Sequence, residues 1–208
     1  MMKRIAFITI GAAVVLCSCA PITQYPIQLR FIPNAGYTQE KPQTKVITVA
    51  AFRDTRGITD PRDIGMRIKS DGIKIPFVTV GERTDVETTQ AMKGYLLQKG
   101  YTVREETPQW DLNSQNVRQD WGDWVIGGTI DNFTLTVKSS FFKTFYEGTL
   151  KLKVVVVDVR QKREMLQETI DLSSSYKTVA FRLETADRII NKLIARAVES
   201  ALTNMEKR

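Results

Sequence analysis

Residues 123–137 read DWVIGGTIDNFTLTV, and this stretch decides the fold. Phe133, Leu135 and Val137 fall on one face of an extended chain, Ile126 and Ile130 on the other. The phase changes between Ile130 and Phe133, which predicts a bulge or a sharp twist near Asp131. Two further runs repeat the period of two. Residues 146–159 alternate at Tyr146, Leu150, Leu152, Val154 and Val156, and residues 164–176 at Leu166, Ile170, Leu172 and Tyr176. The link DVRQKRE between them suits a hairpin turn. Three successive runs of this kind predict an antiparallel meander.

Toward the C-terminus, Leu183, Ala186, Ile190, Leu193, Ala197 and Ala201 form one apolar stripe, predicting a long helix over about 183–205 that packs on the sheet. Toward the N-terminus, KVITVAAF (45–52) is apolar on both faces and predicts a buried strand. Residues 57–83 are dense in glycine and proline and read as a long loop, with a short strand at 74–80 as an option. A helix is expected from Asp85 to Lys99, with Thr84 or Asp85 as cap and Gly100 at the left-handed position after its end. A strand begins at Tyr101–Arg104, and residues 105–122 are polar and irregular. The expected fold is α+β: a two-layer sandwich, mainly antiparallel, in the order strand, helix, four strands, helix, with the long C-terminal helix on one face.

The N-terminus carries a different kind of signal. Lys3 and Arg4 precede an apolar run from Ile5 to Leu16, and Leu-Cys-Ser-Cys closes it at residues 16–19. The layout is that of a secretory signal. A helix over residues 5–19 would span about 22 Å, short of the roughly 30 Å hydrocarbon core. The segment resembles a bacterial lipobox, which implies cleavage before Cys19 and a lipid on its sulfur. Cys17 is a poorer match because bulky Leu16 precedes it. Ala20 follows the cysteine, and Asp at that place is the inner-membrane retention signal of Gram-negative bacteria. By that resemblance the expected address is the periplasmic face of the outer membrane, with a Gram-positive surface lipoprotein as the alternative. The expected division is 1–18 signal peptide, 19–44 lipidated N-terminus and tether with Pro21, Pro26, Pro33 and Pro42, and 45–208 periplasmic domain. Alternation at Ile27, Leu29 and Phe31 leaves an edge strand at 26–32 as an option within that tether.

Composition narrows the chemistry. There is no histidine in the 208 residues, and Cys17 and Cys19 are the cysteines. A Ser-His-Asp triad, a Cys-His pair and the usual zinc ligands are therefore excluded. No catalytic residue, metal or cofactor is expected. The net charge of +7 falls to +5 once Lys3 and Arg4 leave with the signal. The charges are interspersed, so nucleic acid is not an expected partner.

Four groups of residues invite a functional reading. KSSFFKTFY (138–146) places four aromatics in the link between two strands, where a hairpin tip normally carries polar residues. Phe141, Phe142, Phe145 and Lys143 are the candidate contact residues for a partner protein or a membrane surface. The alternative is that the strands continue and the rings fold over the sheet edge. Asp54 and Arg56 could meet a partner, but a salt bridge within a turn is the simpler reading. Trp110, Trp121 and Trp124 could stack on sugars, though core packing is commoner. Asp111, Asp120 and Asp123 beside them could serve glycoside hydrolysis, or be ordinary loop carboxylates.

The lipobox at Cys19, the strand running into Phe52-Arg53-Asp54-Thr55-Arg56, LLQKGYTV, GDWVIGGTIDNF and VVVVDVRQKREMLQETI together resemble the YajG-like family of Gram-negative outer-membrane lipoproteins. That resemblance implies an address and a fold, and no catalytic residue. The expected function is non-enzymatic contact with an envelope protein, as an accessory to an envelope assembly, with membrane attachment through Cys19. A ligand-binding auxiliary lipoprotein of a lipid or solute transporter is the second reading; it requires an apolar groove between helix and sheet. A glycan-associated protein is the third, and it requires at least two exposed tryptophans on one surface.

Overall fold

The computed structural model describes residues 23–30, 42–81 and 83–206. Cys19, the signal segment and Phe31 lie outside them. The elements are β1 (Tyr25–Ile27), β2 (Val46–Val49), β3 (Arg53–Asp54), β4 (Asp63–Ile68), β5 (Lys74–Thr79), α1 (Thr84–Gln98), β6 (Thr102–Val103), β7 (Trp124–Ser139), β8 (Thr144–Asp158), β9 (Arg163–Thr178) and α2 (Leu183–Glu206). A 3-10 turn spans Ser114–Asn116.

β7 organises a nine-stranded sheet. β8 pairs antiparallel with it along Trp124–Ser139, and β9 pairs antiparallel with β8. The register of β7 and β8 shifts between Ile130 and Asn132, so the bulge falls where the phase change puts it. The opposite edge of β7 is shared by three short strands in series. β2 lies against Trp124–Ile126, β3 against Thr129–Ile130 and β4 against Leu135–Lys138, all parallel. β6 adds outside β2 in parallel, β5 outside β4 in antiparallel, and β1 outside β5 in parallel.

The expectation of a mainly antiparallel sheet is therefore overturned: five of the eight strand pairings are parallel. The cause is the crossover. α1 carries the chain from β2 back to the end where β2 began, so β6 enters in the same direction, as a strand–helix–strand connection requires. The expected loop at 57–83 is a second departure: the optional strand at 74–80 is β5, but it pairs in a hairpin with an unexpected β4. Its glycines serve that hairpin: Gly65 sits at a register shift and Gly72 in the turn. Pro76 precedes the three β5 residues that β1 covers, so its missing N–H falls outside that pairing. β1 itself lies in the stretch expected to be tether, close to the optional strand at 26–32.

Both helices pack on one face. Phe52, Ile130, Leu150, Leu152 and Val154 from the sheet meet Met92, Tyr95 and Leu96 of α1 and Ile190, Leu193 and Ile194 of α2 in one buried cluster. A Cβ added to Gly148 would lie 2.9 Å from Ile189 Cγ2 and Leu193 Cδ1. α2 thus rests directly on β8, leaving no room there for a groove. Among the described residues the other face is covered at one end. Residues 105–122 fold over it, and Trp110, Val117 and Trp121 close a second small core on Val125, Val155 and Val157. Among the described residues no helix is long and apolar enough to cross a membrane.

Candidate contact surface

The link between β7 and β8 is a four-residue turn, Ser140 to Lys143. Ser140 donates its backbone N–H to the Lys143 carbonyl at 2.7 Å, and its hydroxyl to the same oxygen at 3.2 Å. This closure turns both rings outward: Phe141 is 87% exposed and Phe142 82%. Of the two readings of this segment, the hairpin tip holds for these residues. Tyr146 behaves differently. It is buried, accepts the Arg182 N–H at 2.7 Å and donates to the Arg182 carbonyl at 3.2 Å, tying the start of α2 to the sheet. Phe145 alternates with it and faces the open side, 47% exposed.

Register brings Lys177, Ile68 and Lys74, which sequence reasoning missed, to the expected Phe145. Lys138, Phe145 and Lys177 are direct neighbours across β7, β8 and β9. The Lys177 ammonium sits over the Phe145 ring at 5.4 Å, within cation–π range. Ile68 and Lys74 continue the same row across β4 and β5. Val179, just past β9, is 80% exposed, and Ile73, in the β4–β5 turn, is 51% exposed. This end of the sheet is thus both apolar and basic.

The other candidates are structural. Arg56 and Asp54 form a buried pair with side chains 5% and 7% exposed. Arg56 Nε and Nη2 donate to the two Asp54 oxygens at 2.9 and 2.6 Å, and Nη1 donates to the Asp63 and Phe133 carbonyls at 2.8 and 3.0 Å. The pair braces β3, β4 and β7. It borders an open cleft of about 520 Å³ lined by Arg53, Arg83, Asp85 and Gln109. Trp110 and Trp121 are core residues, and Trp124 is half-buried beneath Lys45. The three nearby carboxylates are engaged. Asp111 is held below the usual carboxylate range by the Asn113 N–H first and the Asn116 amide next. Asp120 is held low chiefly by its hydrogen bond from Arg118. Asp123 accepts the Val46 N–H at 2.9 Å and pairs with Arg160 at 3.3 Å. A hydrolytic proton donor needs the opposite shift.

Lys93 is a functional-looking residue with a structural task. It is 8% exposed on α1 and donates to the Glu105 carbonyl at 2.6 Å, the Glu106 carbonyl at 3.2 Å and the Thr107 hydroxyl at 2.7 Å. Burial pushes its ammonium below the usual lysine value, with Glu105 and Glu106 opposing that. Lys93→Met leaves two carbonyls unpaired, so a loss of about 1–3 kcal/mol is expected in urea unfolding. Amide exchange at 105–107 should rise with it. An unchanged midpoint would show that water replaces the ammonium freely.

The fold and this end together define a mixed-sheet α+β sandwich with a solvent-facing basic and aromatic edge. It is similar in fold to protein XCC0632 from Xanthomonas campestris (family model DUF330), at 11% identity, with 86% of this chain and 92% of that one covered and a TM-score of 0.54. Weaker likenesses are to protein CT253 from Chlamydia trachomatis (11% identity, 79% and 96% covered, TM-score 0.48) and to lipoprotein GNA1162 from Neisseria meningitidis (14%, 79% and 99%, 0.35). No family model and no curated protein matches the sequence. The likeness is one of fold, and it does not extend to the YajG-like family in particular.

Proposed function

We propose that this protein is a non-catalytic lipoprotein of the YajG-like kind, held through Cys19 at the periplasmic face of the outer membrane. Its domain works by contact within an envelope assembly. The observation that carries this reading is the exposure of Phe141 and Phe142 at a tightly closed turn. A soluble monomer gains nothing from two adjacent solvent-facing rings, and such patches mark contact surfaces. The engaged carboxylates and the structural Arg56 support a binding role over a catalytic one. The close seating of α2 on Gly148 speaks against a groove at that point, which the transporter-auxiliary reading would use. The glycan reading loses two tryptophans to the core.

Mass spectrometry of membrane-extracted protein should find Cys19 as the N-terminus, carrying acyl chains. An unmodified chain recovered in the soluble fraction ends the reading. Crosslinking from native membranes should recover an envelope protein reproducibly.

A further inference from the structure

The occupant of the aromatic end can be argued from where the chain enters the fold. We infer that this end docks on the lipid leaflet that holds Cys19, with Phe141 and Phe142 inserted among the headgroups. The inference rests on the lipoprotein reading above and narrows it: the contact made by the exposed rings is with the leaflet and not with an envelope protein.

β4 and β7 run toward the tip, β5 runs away from it, and β1 is parallel to β5. The first residue of β1 is therefore the one nearest the tip. Tyr25 pairs with Phe77, three residues from Lys74 in the tip row. That is about 10 Å along a strand. Tyr25 is fixed there: its hydroxyl accepts from Arg67 Nη1 at 2.6 Å, and its ring lies 4.9 Å from that of Phe181.

Cys19 lies six positions before Tyr25, a span of at most about 20 Å even when fully extended. For a chain that continues the line of β1 back from Tyr25, about half of that span reaches the level of the tip row and puts the leaflet within roughly 10 Å of it, and the four-residue turn projects beyond that row. A longer leash would leave the domain free to turn, whereas this one keeps the aromatic end facing the bilayer.

The chemistry fits the same occupant. Lys138, Lys143 and Lys177 are exposed around the rings, and Lys74 extends the basic row. Anionic headgroups complement such a rim while aromatic rings occupy the interface. The acidic side chain of the β4–β5 turn, Asp71, is paired with Lys69 at 3.3 Å.

Brominated lipid tests the geometry with an internal control. The native tryptophans lie toward the far end: Trp124 opens β7, fourteen positions from Lys138, or about 48 Å. The full lipidated protein is reconstituted in vesicles of phosphatidylethanolamine and phosphatidylglycerol, with and without bromine on the acyl chains. Native emission should be unchanged by bromine, whereas Phe142→Trp should lose at least half of its added emission. Phe142 is exposed, and an unchanged melting curve confirms that the variant folds. Added emission that bromine leaves intact, in protein shown to carry its lipid, overturns the docking and leaves the lipoprotein reading standing. Protein that carries no lipid and does not enter vesicles overturns both. Unquenched emission together with an envelope protein whose crosslink is lost in Phe141→Ser/Phe142→Ser would assign the tip to a protein instead.

Discussion

Arg56→Met lowers the unfolding free energy by about 3–5 kcal/mol, measured by urea denaturation at neutral pH. The reason is what remains. Asp54 keeps its charge in a site 7% exposed, and the carbonyls of Asp63 and Phe133 lose their shared donor. Domains of this size are stable by only about 5–15 kcal/mol, so the loss is a large fraction of the total. Arg56→Lys should recover little of it. One ammonium cannot span both carboxylate oxygens and two carbonyls, which the planar guanidinium does. A loss under about 1 kcal/mol would put the pair in the class of exposed ion pairs.

The same pair gives a pH signature. Burial alone would raise the Asp54 pKa, but the hydrogen bonds and charge of Arg56 together outweigh it and hold the group below 3.8. A carboxylate depressed in the folded state contributes stability above its unfolded value and loses it as pH falls through the folded one. Wild-type stability should decline from roughly pH 4 downward. Asp54→Ala should be less stable at pH 7 and have a flatter profile in that acid range.

Gly65→Ala is the second large effect, of about 3 kcal/mol or more, because two costs coincide there. Gly65 has φ 127°, a conformation that costs an alanine on the order of 1–3 kcal/mol. Its added Cβ would also stand 2.1 Å from the Leu135 carbonyl oxygen and 2.7 Å from the Leu135 nitrogen. Both are backbone atoms of β7, so no side chain can swing aside, and overpacking of this kind adds about 1–3 kcal/mol. Gly72 is the control: its φ is also positive, at 83°, but nothing lies within 4 Å of its Cβ position. Gly72→Ala should carry the backbone cost alone. Equal melting-temperature losses in the two variants would mean that β4 yields at no cost, against the tight β4–β7 contact.

Legibility in the sequence followed chain locality. Period-two alternation located β7, β8 and β9, and even the bulge beside Asp131, because neighbours in a meander are neighbours in sequence. α1 and α2 came from apolar spacing and from Gly100, whose φ of 83° ends α1. What escaped was non-local. β2 was legible as a buried strand, but its partners stand far along the chain at Trp124–Ile126 and Thr102–Val103. The order strand, helix, strand around α1 carried the signal for parallel pairing. β4 was hidden, and β5 was visible only as the optional strand at 74–80, because glycine and proline density reads as loop, although here it builds a bulge, a turn and a strand end. The contact surface divided in the same way. Phe141, Phe142, Phe145 and Lys143 are adjacent in sequence and were visible. Lys74 and Lys177 join them through register, and Ile73 and Val179 stand next to those paired positions.

On the proposed reading, in which Cys19 carries lipid, β1 acts as a latch on how far the anchored domain can travel. It is three residues long and has β5 as its strand partner among the described residues, with Tyr25 also held by Arg67 of β4 and Gln28 and Arg30 just after it by Asp187 and Asn191 of α2. While it stays seated, six positions separate the lipidated cysteine from the fold. If β1 and the Gln28–Arg30 contacts let go, the next strand among the described residues is β2 at Val46, twenty-seven positions from Cys19, a contour of about 90 Å against about 20 Å to Tyr25. The periplasm would then meet two forms of one protein, a docked one at the membrane and a far-reaching one, exchanged by the release of a three-residue strand.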